Sequence, residues 1–151
     1  MQKTKIILVS FFIYIFCFLS LLEAEQEYLT LRNDKVNLRQ GPSFQYPVKL
    51  TYKKKYLPIL IEDKSDNFRK IRDHQNNSGW IHVSQLSKKK AALVIDEQAI
   101  IFKKSTIYSK PLAKLKRGRL CLIYKCRDQW CKVKVDKYKG WIKKESLKGK
   151  L

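Results

Sequence analysis

Any covalent or metal chemistry in this chain would rest on three cysteines and two histidines. Cys121, Cys126 and Cys131 have four residues between neighbours, and His74 and His82 lie well upstream. A thiolate nucleophile needs a base within hydrogen-bond reach. A zinc site needs four ligands at favourable spacing. This set meets neither requirement, because His74 falls in a polar turn and His82 on the exposed side of a strand pattern. No serine-centred elbow, phosphate-cradling glycine loop or paired-carboxylate motif is visible. The sequence therefore predicts no catalytic residue, no metal and no cofactor. It does predict a disulfide. Cys126 and Cys131 flank Arg127-Asp128-Gln129-Trp130, read as a four-residue hairpin loop. Directly opposed strand residues lie at Cα separations that a disulfide can span, so these two are paired. So short a loop gives a small entropic gain, and the bond should pin the hairpin more than stabilise the whole module. Cys121 is left over inside an apolar strand, as a buried free thiol.

The start of the chain offers a route to an oxidising compartment. Lys3 and Lys5 are followed by Ile6 to Leu22, apolar except for Ser10 and Ser20, and then by Leu22-Glu23-Ala24. Basic region, apolar region and small-residue cleavage site make residues 1–24 a secretory signal peptide. The apolar run also approaches the length of a spanning helix, so a retained membrane anchor stays open. Phe16 stands before Cys17 where lipid attachment would need a small residue.

Of 151 residues, 33 are Lys or Arg and 13 are Asp or Glu, a net charge of +20. Without residues 1–24, 31 basic and 12 acidic residues leave +19. Such a charge favours anionic partners: nucleic acid, anionic lipid, acidic polysaccharide or a carboxylate-rich cell wall. The competing explanation is a solvated surface in a chain rich in Lys and Ile, as an AT-rich genome produces.

Two stretches organise the remainder. Gly79-Trp80-Ile81-His82-Val83-Ser84-Gln85-Leu86 is echoed by Gly140-Trp141-Ile142-Lys143-Lys144-Glu145-Ser146-Leu147. Upstream of each stands an aromatic with a β-branched residue three positions on: Phe68 with Ile71, and Trp130 with Val133. This is one structural unit used twice. Units of about 60 residues have marginal cores, so packing together or a disulfide is expected to add margin. No long amphipathic helical pattern follows Ala24. Short alternating runs such as Val36-Asn37-Leu38-Arg39 are separated by turn signals, which predicts an all-β protein built from small barrels. Gln40-Gly41-Pro42-Ser43 breaks one strand. Pro58 places its strand at an edge or bulge. Glu62 to Asn67 reads as a polar hairpin loop, and Val83 to Leu86 as a helical turn that closes the barrel. The second half reads as five or six strands. Ser87-Lys88-Lys89-Lys90, short and without Gly or Pro, separates residues 25–88 from 89–151 and predicts close coupling.

Asn37-Leu38-Arg39-Gln40-Gly41-Pro42, Tyr46-Pro47-Val48, Phe68-Arg69-Lys70-Ile71 and Gly79-Trp80-Ile81 together resemble the bacterial SH3-like (SH3b) module. The second copy, with Lys125-Cys126, Trp130-Cys131-Lys132-Val133 and Gly140-Trp141-Ile142, resembles a variant from exported tandem SH3-like proteins of Gram-negative bacteria. The resemblance covers nearly all of the chain after the first two dozen residues. It implies two tandem small SH3-like barrels after an N-terminal signal peptide, in a secreted, periplasmic protein. It also implies a non-catalytic binding protein that recognises cell-wall peptidoglycan or a cell-envelope protein. The motifs are specific for the fold and not for a ligand. Enzymes that cut peptidoglycan peptides by a Cys–His mechanism often carry such modules as attachments, but here the repeats use up the chain.

Only the first repeat keeps the Asn37-to-Pro42 motif and the Phe44-Gln45-Tyr46 loop; Thr106 to Pro111 matches it poorly. The first module is therefore expected to carry the ligand and the second to support it. In an SH3-like barrel this loop forms one wall of a groove. Phe44, Tyr46 and Tyr52 would be aromatic walls, Phe68 a floor, and Arg39 a fork for a carboxylate. Strand parity adds Trp80: if Ile71, Ile81, Val133 and Ile142 face the core, then Phe68, Trp80, Trp130 and Trp141 face away. The plainer alternative is that these rings cover a barrel end or the interface between modules, and that Arg39 and Tyr46 only brace the loop. Two other functions compete. One is a basic secreted protein binding nucleic acid or anionic lipid through its charge. Export argues against nucleic acid, and a membrane is involved only if the N-terminal segment is retained. The other is a structural envelope scaffold.

Overall fold

The computed structural model describes residues 26–151. The signal-peptide reading and Cys17 lie outside the described residues. Fourteen strands follow: β1 Tyr28–Leu31, β2 Val36–Arg39, β3 Val48–Tyr52, β4 Pro58–Ser65, β5 Phe68–Arg72, β6 Ser78–His82, β7 Leu86–Ser87, β8 Ala91–Val94, β9 Gln98–Phe102, β10 Pro111–Lys116, β11 Leu120–Arg127, β12 Trp130–Val135, β13 Tyr138–Lys143 and β14 Leu147–Lys150. They form two seven-stranded antiparallel sheets with the same topology, β3-β2-β6-β5-β4-β1-β7 and β10-β9-β13-β12-β11-β8-β14. In each, a single 3-10 turn, Val83–Gln85 or Lys144–Ser146, carries the chain to its last strand.

Period-two patterning explains the strands. Along β12, Cys131, Val133 and Val135 are buried, while Trp130, Lys132 and Lys134 alternate with them on the outside. Along β2, Val36 and Leu38 enter the core between Asn37 and Arg39. The first core gathers Leu31, Val36, Leu38, Ile59, Ile71 and Ile81; the second gathers Val94, Ile101, Cys121, Val133 and Ile142. β8 is buried at all four positions, because both of its faces are covered. Ala92 and Val94 join the second core and Leu93 joins the first, with Leu120 packed against it. The connection is also tied by hydrogen bonds. Thr30 Oγ1 donates to the carbonyls of Ser87 at 3.2 Å and Lys89 at 2.9 Å, and Lys150 Nζ donates to the Tyr28 carbonyl at 3.0 Å.

Several local expectations are corrected. β4 runs on through Ser65, because Asp63, Lys64 and Ser65 pair with Lys70, Arg69 and Phe68 on a ribbon whose outer side tolerates polar residues. Only Asp66 and Asn67 turn, and Asp66 has φ 45°. Pro58 lies in an inner strand, so the edge alternative fails, although that strand does shift register between Ile61 and Asp63. It is the first residue of β4, a position where proline is also tolerated. The second module has seven strands, not five or six.

Candidate functional site

The first module places its distinctive residues at one end of the β2-β6-β5 surface. Arg39 closes β2 opposite Trp80 of β6, and Trp80 in turn faces Lys70 of β5. The loop after Arg39 folds back on the sheet. Gln40 N–H donates to the Pro47 carbonyl at 3.1 Å, and Arg39 Nη1 donates to the carbonyls of Phe44 at 3.0 Å and Tyr46 at 2.8 Å. Gly41 leaves room for the Tyr46 ring, which a Cβ standing 2.6 Å away would displace.

So held, the loop lays Phe44 over the sheet. Its ring lies 5.2 Å from Phe68 and 5.0 Å from His82, and Phe68 and His82 are 5.1 Å apart. The Arg39 guanidinium lies 5.5 Å from the Phe44 centroid. Phe68 is buried under this cluster, while Phe44 stays 60 % exposed and Tyr46 47 %. His82 Nδ1 accepts from Ser84 N–H at 3.3 Å and lies 2.8 Å from Ser84 Oγ.

Of the six residues singled out in the sequence, Arg39, Phe44, Tyr46, Phe68 and Trp80 share this region. Tyr52 does not. It is a core residue at the end of β3, with its hydroxyl donating to Asp73 Oδ2 at 3.0 Å, so it is no groove wall. Arg39 Nη1 braces the loop by donating to two of its carbonyls, the alternative role weighed for it in the sequence. His82 was missed as a site residue. It shares strand parity with Trp80 and lies opposite Phe68, which is the signal that could have found it.

In the second module, Phe102, Trp130, Trp141 and Lys143 occupy the positions of Arg39, Phe68, Trp80 and His82. Phe102 and Trp130 meet edge to face at 5.8 Å. The loop from Lys103 to Lys110 leaves Tyr108 93 % exposed. Between the modules lies a cleft lined partly by Arg72, Arg117 and Leu93, but Arg72 is paired with Glu62 and Arg117 with Glu97.

Cys126 and Cys131 are cross-strand partners joined by a disulfide. The turn between them is tighter than the four-residue loop expected. Arg127 and Trp130 still pair, and only Asp128 and Gln129 turn, with Asp128 at φ 52°. Cys121 is free and fully buried. Burial pushes its thiol up to about 12, against a small opposing pull from Arg119. Of the three cysteines after residue 24, thiol labelling of unfolded, unreduced protein should therefore modify Cys121 alone. Replacing Cys126 and Cys131 together by alanine should cost about 2 kcal/mol in the second module and leave the first folded. Three labelled thiols in oxidised protein would contradict the bond.

A family profile described as bacterial SH3 domain matches the chain twice, at residues 32–88 and 96–149. No curated protein matches it. Among solved structures, NlpC2 from Trichomonas vaginalis is similar at 14 % identity, over 82 % of this chain and 48 % of its own, with a TM-score of 0.38. NlpC1 from the same organism gives 14 % identity, 82 % and 45 % coverage, and a TM-score of 0.38. An NlpC/P60 family protein from Bacillus cereus ATCC 10987 gives 12 % identity, 81 % and 56 % coverage, and a TM-score of 0.37. The chain spans about half the length of these structures. With the family profile matched over both repeats, and one sheet topology used twice, the chain belongs to the bacterial SH3 domain family as a tandem pair.

Proposed function

We propose that this is a non-catalytic binding protein of the cell envelope, exported to the periplasm, whose first module recognises peptidoglycan. One observation carries the reading: Arg39 holds the loop so that Phe44 caps Phe68 and His82 while its own ring stays largely exposed. An aromatic face bordered by a guanidinium and an imidazole suits a sugar face and a peptide carboxylate. Bacterial SH3 domains usually bind peptidoglycan or the cell envelope, which supports the choice of ligand class. The absence of catalysis rests on placement. Cys121, the free thiol among the described residues, is sealed in the second core, and both histidines belong to the first module.

Pull-down with purified sacculi tests this, at about 0.5 M salt so that diffuse charge is screened. Phe44→Ala should weaken binding by about 2 kcal/mol, roughly thirtyfold, with little change in melting temperature because the ring is exposed. Arg39→Ala and Tyr46→Ala should weaken binding and also lower the melting temperature, since both hold the loop. Trp130→Ala in the second module should bind normally. If Trp130→Ala loses binding while the three first-module variants bind and stay folded, the site lies in the other repeat.

A further inference from the structure

The two modules share a topology and differ sharply in charge. Residues 89–151 hold 19 Lys and Arg against five Asp and Glu, whereas residues 25–88 hold 12 against seven. Part of the difference falls on one surface. β11, β12 and β13 contain six basic residues and no acidic one; β4, β5 and β6 contain four basic residues with Glu62 and Asp63. In the first module, pairs such as Glu62 with Arg72 and Glu27 with Lys64 neutralise part of that charge. Among the described residues, Lys143 alone of the six in the second module meets a carboxylate, that of Glu145.

Register gathers these cations on the outer face. Cross-strand rows run Arg127–Trp130–Lys143, Lys125–Lys132–Trp141 and Lys134–Lys139. Neighbours in a row lie about 5 Å apart and alternate residues along a strand about 7 Å apart. A patch of this spacing matches a chain of regularly repeated anions, with each anion reaching one or two ammonium groups. Five of the six cations are lysines, which act as point charges, whereas arginine's planar fork suits fixed bidentate partners. Two aromatic rings of the face, Trp141 and Tyr124, carry lysines beside them, and Trp130 meets Phe102 edge to face. Lys125 and Lys132 each place Nζ 5.9 Å from the Trp141 centroid, and Lys139 places Nζ 4.4 Å from that of Tyr124. Nucleobase stacking uses a platform of open rings, whereas this face is built mainly of point charges with lysines beside two of its rings, which favours a polyanion without bases.

We infer that the β11-β12-β13 face of the second module binds an anionic polysaccharide, a ligand separate from that of the first module. Phosphate, sulfate or carboxylate groups repeated along the glycan supply the charge, and the second module is a binding domain in its own right rather than only a support for the first.

The test measures binding of the full chain to two labelled polysaccharides, polygalacturonate and dextran sulfate, across a salt series. The face variant is Lys132→Gln/Lys134→Gln/Lys139→Gln. The control, Lys88→Gln/Lys89→Gln/Lys90→Gln, makes the same change in net charge between the modules, where all three lysines are exposed. The face variant should bind at least about tenfold more weakly near 0.15 M salt. Its log–log salt dependence should flatten by about 0.7 for each lysine that meets an anion. The control should keep most of its affinity. If the face variant melts early, single Lys134→Gln and Lys139→Gln variants at exposed positions carry the same comparison, each with a smaller loss. Equal losses in face and control variants would show that net charge acts without the face, and would overturn the inference. Tighter binding of a (dT)20 oligonucleotide than of either polysaccharide at matched salt would overturn it in favour of nucleic acid.

Discussion

Replacing Asp73 with alanine should destabilise the first module by about 3 kcal/mol and leave the second folded. Asp73 is buried just past β5. Its Oδ2 accepts from the Tyr52 hydroxyl at 3.0 Å and the Asn77 side-chain amide at 2.8 Å, and Oδ1 accepts from the Gln75 and Asn77 backbone N–H groups at 2.8 Å. Without the carboxylate, the buried Tyr52 phenol and three part-buried donors of Gln75 and Asn77 lose their partner, and an unpaired buried donor costs about 1 to 3 kcal/mol. Burial alone would raise the Asp73 carboxyl, but the bonds from Asn77, Gln75 and Tyr52 outweigh it and hold it below its ordinary value. A carboxyl lowered on folding contributes stability above its unfolded pKa, near 4, and that stability is lost as pH falls through the lower folded value. Burial, and then the Asp73 charge, push the Tyr52 phenol in the opposite direction. A phenol raised on folding contributes below about pH 10, and its contribution is lost as pH rises beyond that.

The second module supplies an internal control. Register aligns Tyr52 with Leu115 and Asp73 with Val135, both buried and apolar. Thermal unfolding followed from pH 2 to pH 7 should therefore show the first module losing stability toward acid more steeply than the second. In Asp73→Ala that difference should be smaller. Equal acid slopes for the two modules in the unmodified protein would mean that the Tyr52–Asp73 pair contributes nothing to stability.

Gly140→Ala should cost about 3 kcal/mol or more in the second module, because it forces a side chain against the main chain. A Cβ at Gly140 would stand 2.4 Å from the Phe102 carbonyl oxygen, 2.5 Å from Ile101 Cγ2 and 3.0 Å from Leu112 Cδ1. A carbonyl oxygen cannot rotate away as the tip of a flexible side chain can, so β9 must separate from β13 where the two strands close the barrel. Gly79→Ala meets the same obstacle in the first module, with the Arg39 carbonyl oxygen at 2.7 Å and Leu38 Cγ at 2.8 Å, and should cost slightly less. Gly118→Ala is the contrasting variant. At φ +77° it is strained, but nothing lies within 4 Å, so about 1 kcal/mol is expected. Calorimetry of the three variants checks the order. A Gly140→Ala protein that melts no earlier than Gly118→Ala would show that the strand crossing yields easily.

The repeated Gly-Trp-Ile thus has a physical origin that sequence comparison alone does not show. Glycine lets one strand pass another's carbonyl, tryptophan faces outward, and isoleucine fills the core. The loop around Arg39 was legible as a motif, but its energetics were not. The guanidinium that looked available to a ligand is partly spent on two carbonyls, a contact that exists only once the loop has folded back.

By itself the sequence determined what local patterning controls. It established the all-β class, the doubled unit, the outward parity of Trp80 and Trp141, and the pairing of Cys126 with Cys131, because strand alternation and turn chemistry act over a few residues. Tertiary structure decided whatever depends on residues distant in the chain. Tyr52 is a core residue because Asp73, in the turn after β5, receives its hydroxyl. His82 belongs to the aromatic cluster because Phe68 lies opposite it and the Phe44 loop closes above. Leu93 completes the core of the neighbouring module because β8 is covered on both faces. The lysines of the second module look dispersed along the chain, yet those on β11, β12 and β13 share one face, because antiparallel pairing sets side by side residues that the sequence holds apart.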